Sequence, residues 1–232
     1  MPNISRIKTE RDRNLSVDSY SDDADRLIEL TRALFIGIYS DSAIRALITE
    51  TALSISNFNR RQFSNSGVQL VGIDFRSFEQ YLQPEIDAFV SANVDLIRSI
   101  ESVYFDDVKQ ILLTEIRNGS LISEIARKIE KRGLASSSRA KFIARDQVGK
   151  FNGSLTELRQ QSLGVDSYIW RTSRDERVRG RPGGRFPDAN PSHWAREGKV
   201  FKWSDPPSGG HPGQDYACRC TAEAIIDESS QI

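Results

Sequence analysis

The sequence predicts an α+β protein in which a mainly helical N-terminal body is followed by a small β-rich, loop-dense C-terminal module. From residue 23 to Gly164, apolar residues recur every three or four positions, as in amphipathic helices. After Gly164, short runs of β-branched and aromatic residues alternate with stretches dense in Gly and Pro. We therefore expect a flexible arm at residues 1–22, a helical body at 23–164 and a β-rich module at 165–232.

The first half of the helical body is predicted to contain several separate helices. Apolar spacing indicates two short helices between Asp23 and Leu53. Asn57–Asp74 is rich in Asn, Ser and Gly and is interpreted as a connection. Apolar residues return at helical intervals over Phe75–Ile100, where Pro84 indicates either a kink or a helix start.

The second half of the body is predicted to contain three more helices. One covers residues 103–118 and ends at the C-cap signal Asn118-Gly119. Ser120 is a suitable N-cap for the next helix, and Gly133 is the expected terminator. After a brief turn, a long amphipathic helix is expected to continue as far as Gly164.

The C-terminal module is predicted to contain three short strands, at Ser167–Thr172, Lys199–Trp203 and Thr221–Ile226. The stretches between them contain too much Gly and Pro to form regular elements. A module of this kind has little apolar core of its own, so other interactions must stabilise its loops.

Every histidine and cysteine of the chain lies in this module, at His193, His211, Cys218 and Cys220. Two thiolates and two imidazoles are sufficient for a tetrahedral Zn²⁺ site, and a loop-rich module gains folding free energy from such a site. The C-x-C spacing is tighter than the usual C-x₂₋₄-C spacing of zinc knuckles. The alternative is a metal-free module in which these side chains pack against one another.

A hydrolytic use of the same residues is a weaker hypothesis. In a metal-dependent nuclease, His193 or His211 would activate water beside a divalent ion, with Asp205 and Asp215 as further candidates. The sequence contains no H-N-H spacing and no paired-carboxylate spacing that supports this chemistry. We therefore expect a protein that is not an enzyme.

Six arginines lie within fifteen residues, whereas the same segment contains two carboxylates, Asp175 and Glu176. The six are Arg171, Arg174, Arg177, Arg179, Arg181 and Arg185. Such a patch is a candidate for contact with DNA phosphates or with a partner. The alternative is a network in which the arginines pair with carboxylates of this chain or of a partner.

Composition restricts the function classes. The 232-residue chain has 32 basic and 32 acidic residues, so its net charge gives no general attraction to nucleic acid or anionic membranes. Its longest apolar run, Ala33–Tyr39, is far shorter than the roughly 20 residues of a membrane span. The N-terminal residues lack the apolar region of a secretory signal, which predicts a reducing compartment.

Three segments of the C-terminal part resemble the signature of a known family. They are Thr172–Arg179 (TSRDERVR), Ser192–Pro207 (SHWAREGKVFKWSDPP) and Gly210–Ile225 (GHPGQDYACRCTAEAI). Together these segments resemble tailed-bacteriophage minor head proteins of the phage Mu F-like head morphogenesis family. The resemblance extends over roughly Ile86–Ile226.

The resemblance implies a structural, low-copy component of a multi-copy virion assembly, incorporated near the portal. The implied partners are the portal protein, the major capsid protein or both, with packaged DNA as a further contact. The implied location is the head interior or portal region, reached after assembly in the host cytoplasm. Some relatives leave the head with the genome.

The resemblance also bears on zinc, because many relatives carry C-x-x-C directly after D-x-R-V and imply a zinc knuckle. In this chain the first of those cysteines corresponds to Arg179 and the second to His193. One ligand of the implied site is therefore replaced. His211 or Asp188 would have to complete it.

Overall fold

The chain folds into long helices followed by a small antiparallel sheet, which confirms the predicted fold class. The predicted arm at residues 1–22, and Ile226 at the end of the third predicted strand, lie outside the described residues. The computed structural model describes residues 25–26, 28–34, 36, 39–65, 76–118 and 120–225.

The helices are longer than the sequence pattern predicts. Helix α1 is Asp41–Asn65, α2 is Arg76–Arg117 and α3 is Ile122–Ser162, and residues 28–34 are also helical. The two helices predicted on either side of residues 100–103 form one helix, α2. This helix begins eight residues before Pro84, so the proline does not mark its start.

The predicted connection from residue 57 onward is wrong for residues 57–65, which belong to α1. Asn59 explains the difference, because its side chain is buried and hydrogen-bonded rather than free to favour a turn. Its Nδ2 donates to Asn152 Oδ1 at 3.0 Å and to Thr156 Oγ1 at 2.8 Å. Such tertiary hydrogen bonds override the weak helix propensity of Asn.

The predicted end of a helix at Gly133 is also wrong, because α3 continues through this residue and through the turn expected after it. Glycine inside a helix costs only about 1 kcal/mol relative to alanine. A Cβ atom at Gly133 would lie 3.8 Å from Tyr104 Oη, so the helix packs normally here. The predicted limit at Gly164 is confirmed.

The C-terminal end of α3 has the geometry of a Schellman motif. Gly164 has a φ of 73°, which favours glycine. Val165 N–H donates to Gln160 O at 2.9 Å, and Gly164 N–H donates to Gln161 O at 2.9 Å. These two bonds satisfy carbonyls that the helix leaves free.

Two compact units are defined by the contacts within the chain. The first combines the described residues up to Ile44 with Val94–Ala140, and the second combines Arg45–Asn93 with the chain from Lys141 onward. In the first unit, Ile28, Phe105 and Val108 form a buried cluster. The sheet and all the candidate site residues belong to the second unit.

The three predicted strands are confirmed with slightly shorter bounds: β1 is Ser167–Arg171, β2 is Val200–Lys202 and β3 is Thr221–Ala224. Strand β1 is central and pairs antiparallel with both neighbours. Alternate residues of β1, Tyr168 and Trp170, are almost completely buried. They form a cluster with Trp203, Cys218 and Cys220, which places the two thiols in the core of the module.

Helix α3 supports this sheet through its last turns. The buried Gln160 side chain accepts a hydrogen bond from Trp203 Nε1 at 3.0 Å and donates one to Ala222 O at 2.9 Å. Earlier in α3, Gly149 and Gly153 allow the backbone of the Cys218 and Pro212 segments to approach closely. The loop-dense module therefore packs directly on helical residues.

Candidate functional site

Three of the four predicted metal ligands lie together in the module. One donor atom from each of His193, Cys218 and Cys220 lies within 4.8 Å of the other two, and all three residues are buried. His193 Nδ1 lies 3.6 Å from Cys218 Sγ and 3.7 Å from Cys220 Sγ. The cluster thus presents one imidazole nitrogen and two sulfurs to a common point.

Local structure positions His193 on one side of this point. It directly precedes a short 3₁₀ helix, Trp194–Arg196. Trp194 N–H donates to Arg179 O at 2.9 Å, which anchors the loop that carries the histidine. Gly180 makes this close approach feasible, because a Cβ atom there would overlap the Ser192 side chain.

The two cysteines come from the loop that enters β3. Ala217, just before Cys218, has a φ of 47°, and its N–H donates to Asp146 Oδ1 of α3 at 2.7 Å. Cys218 N–H donates to Asp215 O at 3.1 Å, closing a turn. The alternation of C-x-C then places both thiols beside Trp170 and Trp203 rather than on opposite faces.

The two thiols influence each other's acidity. A hydrogen bond from Cys220 lowers the pKa of the Cys218 thiol, and His193 acts in the same direction, whereas burial opposes this shift. The pKa of Cys220 is raised, because it donates to Cys218 and is buried. The two pKa values thus shift in opposite directions, because one thiol donates a hydrogen bond to the other.

Asp215 and Arg179 lie behind His193, on the edge of the ring opposite the sulfurs. Asp215 Oδ2 lies 3.2 Å from His193 Nε2, although these two atoms are not aligned for a hydrogen bond. Arg179 forms an ion pair with the same carboxylate oxygen. Burial alone would raise the pKa of Asp215, but Arg179 and the Tyr216 backbone N–H lower it.

The sequence predicted only part of this contact between Arg179, Asp215 and His193. Asp215 was a candidate for a nuclease site and Arg179 for a phosphate patch. Their joint contact behind His193 requires the fold, since 36 residues separate Arg179 from Asp215 along the chain. The signal that hinted at Arg179 was its correspondence to a cysteine of relatives.

The fourth predicted ligand, His211, lies elsewhere in the core and is not part of the three-residue group. Its Nδ1 is 2.8 Å from Tyr168 Oη, and its ring packs against Trp203 with the centroids 4.8 Å apart. Burial lowers the pKa of His211, and a contact with the Trp203 backbone only partly opposes this. These interactions suit a neutral, packed imidazole.

The other acidic candidates stand apart from the group as well. Asp188, which was expected as an alternative ligand, is exposed. Asp205 forms an isolated β-bridge with Lys202, where the chain turns after β2. Among the described residues, neither carboxylate belongs to a candidate metal-binding group.

The six arginines of the predicted patch make contacts within the chain. Arg181 donates to Arg174 O at 2.6 Å and lies over the Trp194 ring. The ion pairs are Arg171 with Glu223, Arg174 with Glu197, Arg177 with Asp175, Arg179 with Asp215, and Arg185 with Glu176. The surface is therefore a mixed network of both charge signs, as the second interpretation of this segment expects.

Glu197 is central to this network. Its carboxylate accepts hydrogen bonds from Thr172 N–H at 2.6 Å, from Thr172 Oγ1 at 2.7 Å and from Arg174 at 2.9 Å. These donors lower the pKa of Glu197 to about 2. The carboxylate thereby joins the end of β1 to the turn before β2.

The helices of the described part contain no segment both long and apolar enough to cross a membrane.

Comparison with known proteins gives one family match. The family described as "Phage Mu protein F like protein" matches residues 106–223. A protein of Haemophilus influenzae (strain ATCC 51907 / DSM 11121 / KW20 / Rd), named "Uncharacterized protein", is 33% identical over 178 residues. This alignment covers 75% of the chain and 37% of the Haemophilus protein, so the chain spans little more than a third of that relative. No solved structure matches.

Proposed function

The chain belongs to the phage Mu protein F-like family, a family of phage head-related proteins. We propose that it is a structural minor head protein that is incorporated near the portal during head assembly. The observation that carries this proposal is the extent of the family match. Residues 106–223 include the end of α2, all of α3 and nearly all of the sheet. The matched region is thus a continuous structural part of the chain and not one short motif.

The geometry of the module supports a structural function over an enzymatic one. The His193 cluster, which also contains Cys218 and Cys220, is buried among tryptophan and tyrosine side chains. A substrate therefore has no direct access to it. An open pocket of about 330 Å³ lies between α2 and α3, lined by Tyr81, Leu82, Leu158, Arg159, Gln161 and Ser162. This lining offers no carboxylate, imidazole or thiol as a general base.

The helices offer surfaces suited to protein partners. Large apolar side chains are exposed at intervals on α1, α2 and α3, among them Leu47, Phe58, Tyr81 and Leu134, and at Leu121 just before α3. Side chains of this kind become favourable contacts when another protein removes them from water. The family implies contact with other virion components, and we propose the portal protein and the major capsid protein as these partners.

The charge distribution gives less support to a primary DNA-binding function. Five of the six arginines of the Arg171–Arg185 segment form ion pairs with carboxylates of this chain. A phosphate would have to displace these partners. The zero net charge of the whole chain adds no long-range attraction.

Co-expression with the cognate portal protein and major capsid protein tests the proposal. We expect the chain to copurify with the portal and to sediment with assembled heads, at moderate salt and after nuclease treatment. Nuclease resistance distinguishes protein contacts from a DNA bridge.

The double substitution of Arg177 and Arg185 by Gln is the matched control, because both side chains are at least half exposed. It should leave portal binding unchanged. The contrary result has three parts: the chain fails to bind portal or capsid protein, it binds duplex DNA with a steep salt dependence, and the double variant loses this DNA binding. In that case the head-assembly function is wrong, and contact with DNA replaces it.

A further inference from the structure

The His193 cluster has the dimensions of a tetrahedral zinc site. Zinc bonds of about 2.3 Å to sulfur and 2.0–2.1 Å to nitrogen place neighbouring nitrogen and sulfur ligands about 3.5 Å apart. His193 Nδ1 lies 3.6 Å and 3.7 Å from the two sulfurs. The two nitrogen-to-sulfur distances therefore match zinc coordination, and all three donor atoms lie within 4.8 Å of one another.

Hydrogen bonds within the cluster leave one contact unexplained, because the Cys220 thiol donates to Cys218 and not to the histidine. A neutral imidazole nitrogen has one lone pair and accepts one S–H donor. Both sulfurs nevertheless lie at nearly the same distance from Nδ1. A metal ion explains both contacts, because all three atoms then direct a lone pair to the same centre.

The residues behind the histidine favour the same interpretation. If Nδ1 binds a metal, the ring proton is on Nε2, which lies 3.2 Å from the Asp215 carboxylate, and a turn of the ring or the carboxylate is needed to align the two for a hydrogen bond. Arg179 pairs with that carboxylate and Tyr216 N–H donates to it at 2.7 Å. Metal-binding histidines commonly have a carboxylate in this outer position, where it fixes the tautomer and the orientation of the ring.

We propose that His193 Nδ1, Cys218 Sγ and Cys220 Sγ bind one Zn²⁺ ion, with Asp215 as the residue that orients the histidine. Both thiols release their protons to solvent on binding, and two thiolates with a neutral imidazole give a complex of zero net charge. This neutrality is compatible with burial beside Trp170 and Trp203. The soft sulfur donors select zinc over Mg²⁺ or Ca²⁺.

Among the described residues, no fourth side chain belongs to the cluster. Asp215 faces Nε2, on the other edge of the imidazole ring, and is therefore directed away from the metal. His211 is engaged by Tyr168 and does not belong to the cluster. The described residues thus supply three ligands, and the site is independent of the proposed head function.

The experiment measures zinc in the full-length chain purified without a polyhistidine tag, after incubation with excess zinc and exhaustive buffer exchange. Elemental analysis should find about one zinc per chain. Replacement by Co²⁺ should produce the thiolate-to-metal charge-transfer absorption of a sulfur-ligated ion. A zinc content near zero in the folded wild-type chain would overturn the proposal.

Four single variants identify the ligands: His193→Ala and Cys218→Ser should lose stoichiometric zinc, whereas His211→Gln and Asp188→Asn should retain it. Asp215→Asn should retain a sulfur-ligated ion but weaken its affinity about 10- to 100-fold, as measured by competition with a chromophoric chelator. A purely structural role of Asp215 would leave this affinity unchanged. Circular dichroism establishes that each variant compared is folded.

The assignment does not depend on the ligand variants remaining folded. In the wild-type chain, titration of the thiols with a mercurial reagent should release zinc in proportion to the two cysteines modified. Zinc that remains bound after both thiols react, or that persists in folded His193→Ala, would refute this ligand set. Loss of zinc from folded His211→Gln would establish His211 as a fourth ligand instead and overturn the three-ligand assignment.

Discussion

At the scale of single residues, the chain combines ion pairs of very different exposure in one short segment. Arg179 and Asp215 are both largely shielded from water, whereas Arg185 and Glu176 are both more than half exposed. Water and salt screen the exposed pair strongly. We therefore expect the shielded carboxylates of the network to affect stability, and the exposed ones to affect it little.

Glu197→Gln should destabilise the protein, because the charged carboxylate accepts two hydrogen bonds from Thr172 and a third from Arg174. The expected loss is about 1.5–3 kcal/mol of unfolding free energy at neutral pH. Glu176→Gln is the matched control and should change it by less than about 0.5 kcal/mol. Urea denaturation of both variants measures the difference.

The pH dependence of the Glu197 effect has a defined sign. Its pKa is lowered from 4.5 to about 2 in the folded chain, so the folded state favours the ionised form. The stabilisation is complete above the unfolded pKa and decreases as pH falls from about 4.5 to 2. The difference in stability between wild type and Glu197→Gln should shrink over this window. A difference that stays constant down to pH 2 would contradict the assigned carboxylate interaction.

At the scale of elements, one side chain of α3 joins the helix to two parts of the sheet region. Gln160 is 1% exposed and bonds both Trp203 Nε1 and Ala222 O. Gln160→Leu should cost about 2–4 kcal/mol of unfolding free energy, because it leaves a buried donor and a buried acceptor without partners. Thermal and urea denaturation measure this loss.

The neighbouring Gln161 provides the control, since it is exposed and its side chain donates a long hydrogen bond of 3.4 Å to Glu157. Gln161→Leu should change the unfolding free energy by less than about 0.5 kcal/mol. Equal effects of the two leucine variants would mean that Gln160 does not connect α3 to the sheet.

Two glycines of α3 should respond to alanine in opposite directions. At Gly153 a Cβ atom would lie 2.7 Å from Pro212 O, so the backbone must move, and we expect a loss of about 1–3 kcal/mol. At Gly133 the nearest atom is 3.8 Å away, and alanine should stabilise the helix by about 0.5–1 kcal/mol. Denaturation midpoints of the two variants measure the signs. Stabilisation by both substitutions would refute the close approach at Gly153.

At the scale of the whole molecule, the proposed head function requires contacts that the isolated chain does not make. Leu134 is 66% exposed, although α3 could have presented a polar residue there. Leu134→Lys should leave the melting temperature nearly unchanged but weaken the complex with portal or capsid protein about tenfold or more. A change of this size in Kd corresponds to the free energy gained when one leucine side chain is buried. Copies of the chain per assembled head, counted by quantitative mass spectrometry, measure the effect.

Ala135→Lys is the control for this prediction. Ala135 is also exposed, but it lies about 100° away round the helix and carries little apolar surface. The Ala135→Lys substitution adds the same charge as Leu134→Lys and should leave incorporation of the chain into heads unchanged. If both lysine variants are incorporated like the wild type, α3 does not contact the partner through Leu134.

The sequence determined the fold class, the end of α3 and the three strands. These depend on local chemistry: apolar spacing at 3.6 residues per turn, a glycine with positive φ at Gly164, and runs rich in β-branched and aromatic residues. Helix breaks were predicted less well. Gly133 and the Asn57–Asn65 segment have weak local preferences, and tertiary packing and the hydrogen bonds of Asn59 outweigh them.

The sequence also determined which residue types can serve as metal ligands, because it confines all histidines and cysteines to the C-terminal module. Only the tertiary structure decided which of them meet. The turn at Ala217 and the loop before Trp194 bring Cys218 and Cys220 to His193, while Tyr168 and Trp203 enclose His211. The C-x-C spacing brings the two thiols close to each other, but spacing does not reveal which histidine meets them, since this depends on how irregular loops pack on the sheet and on α3.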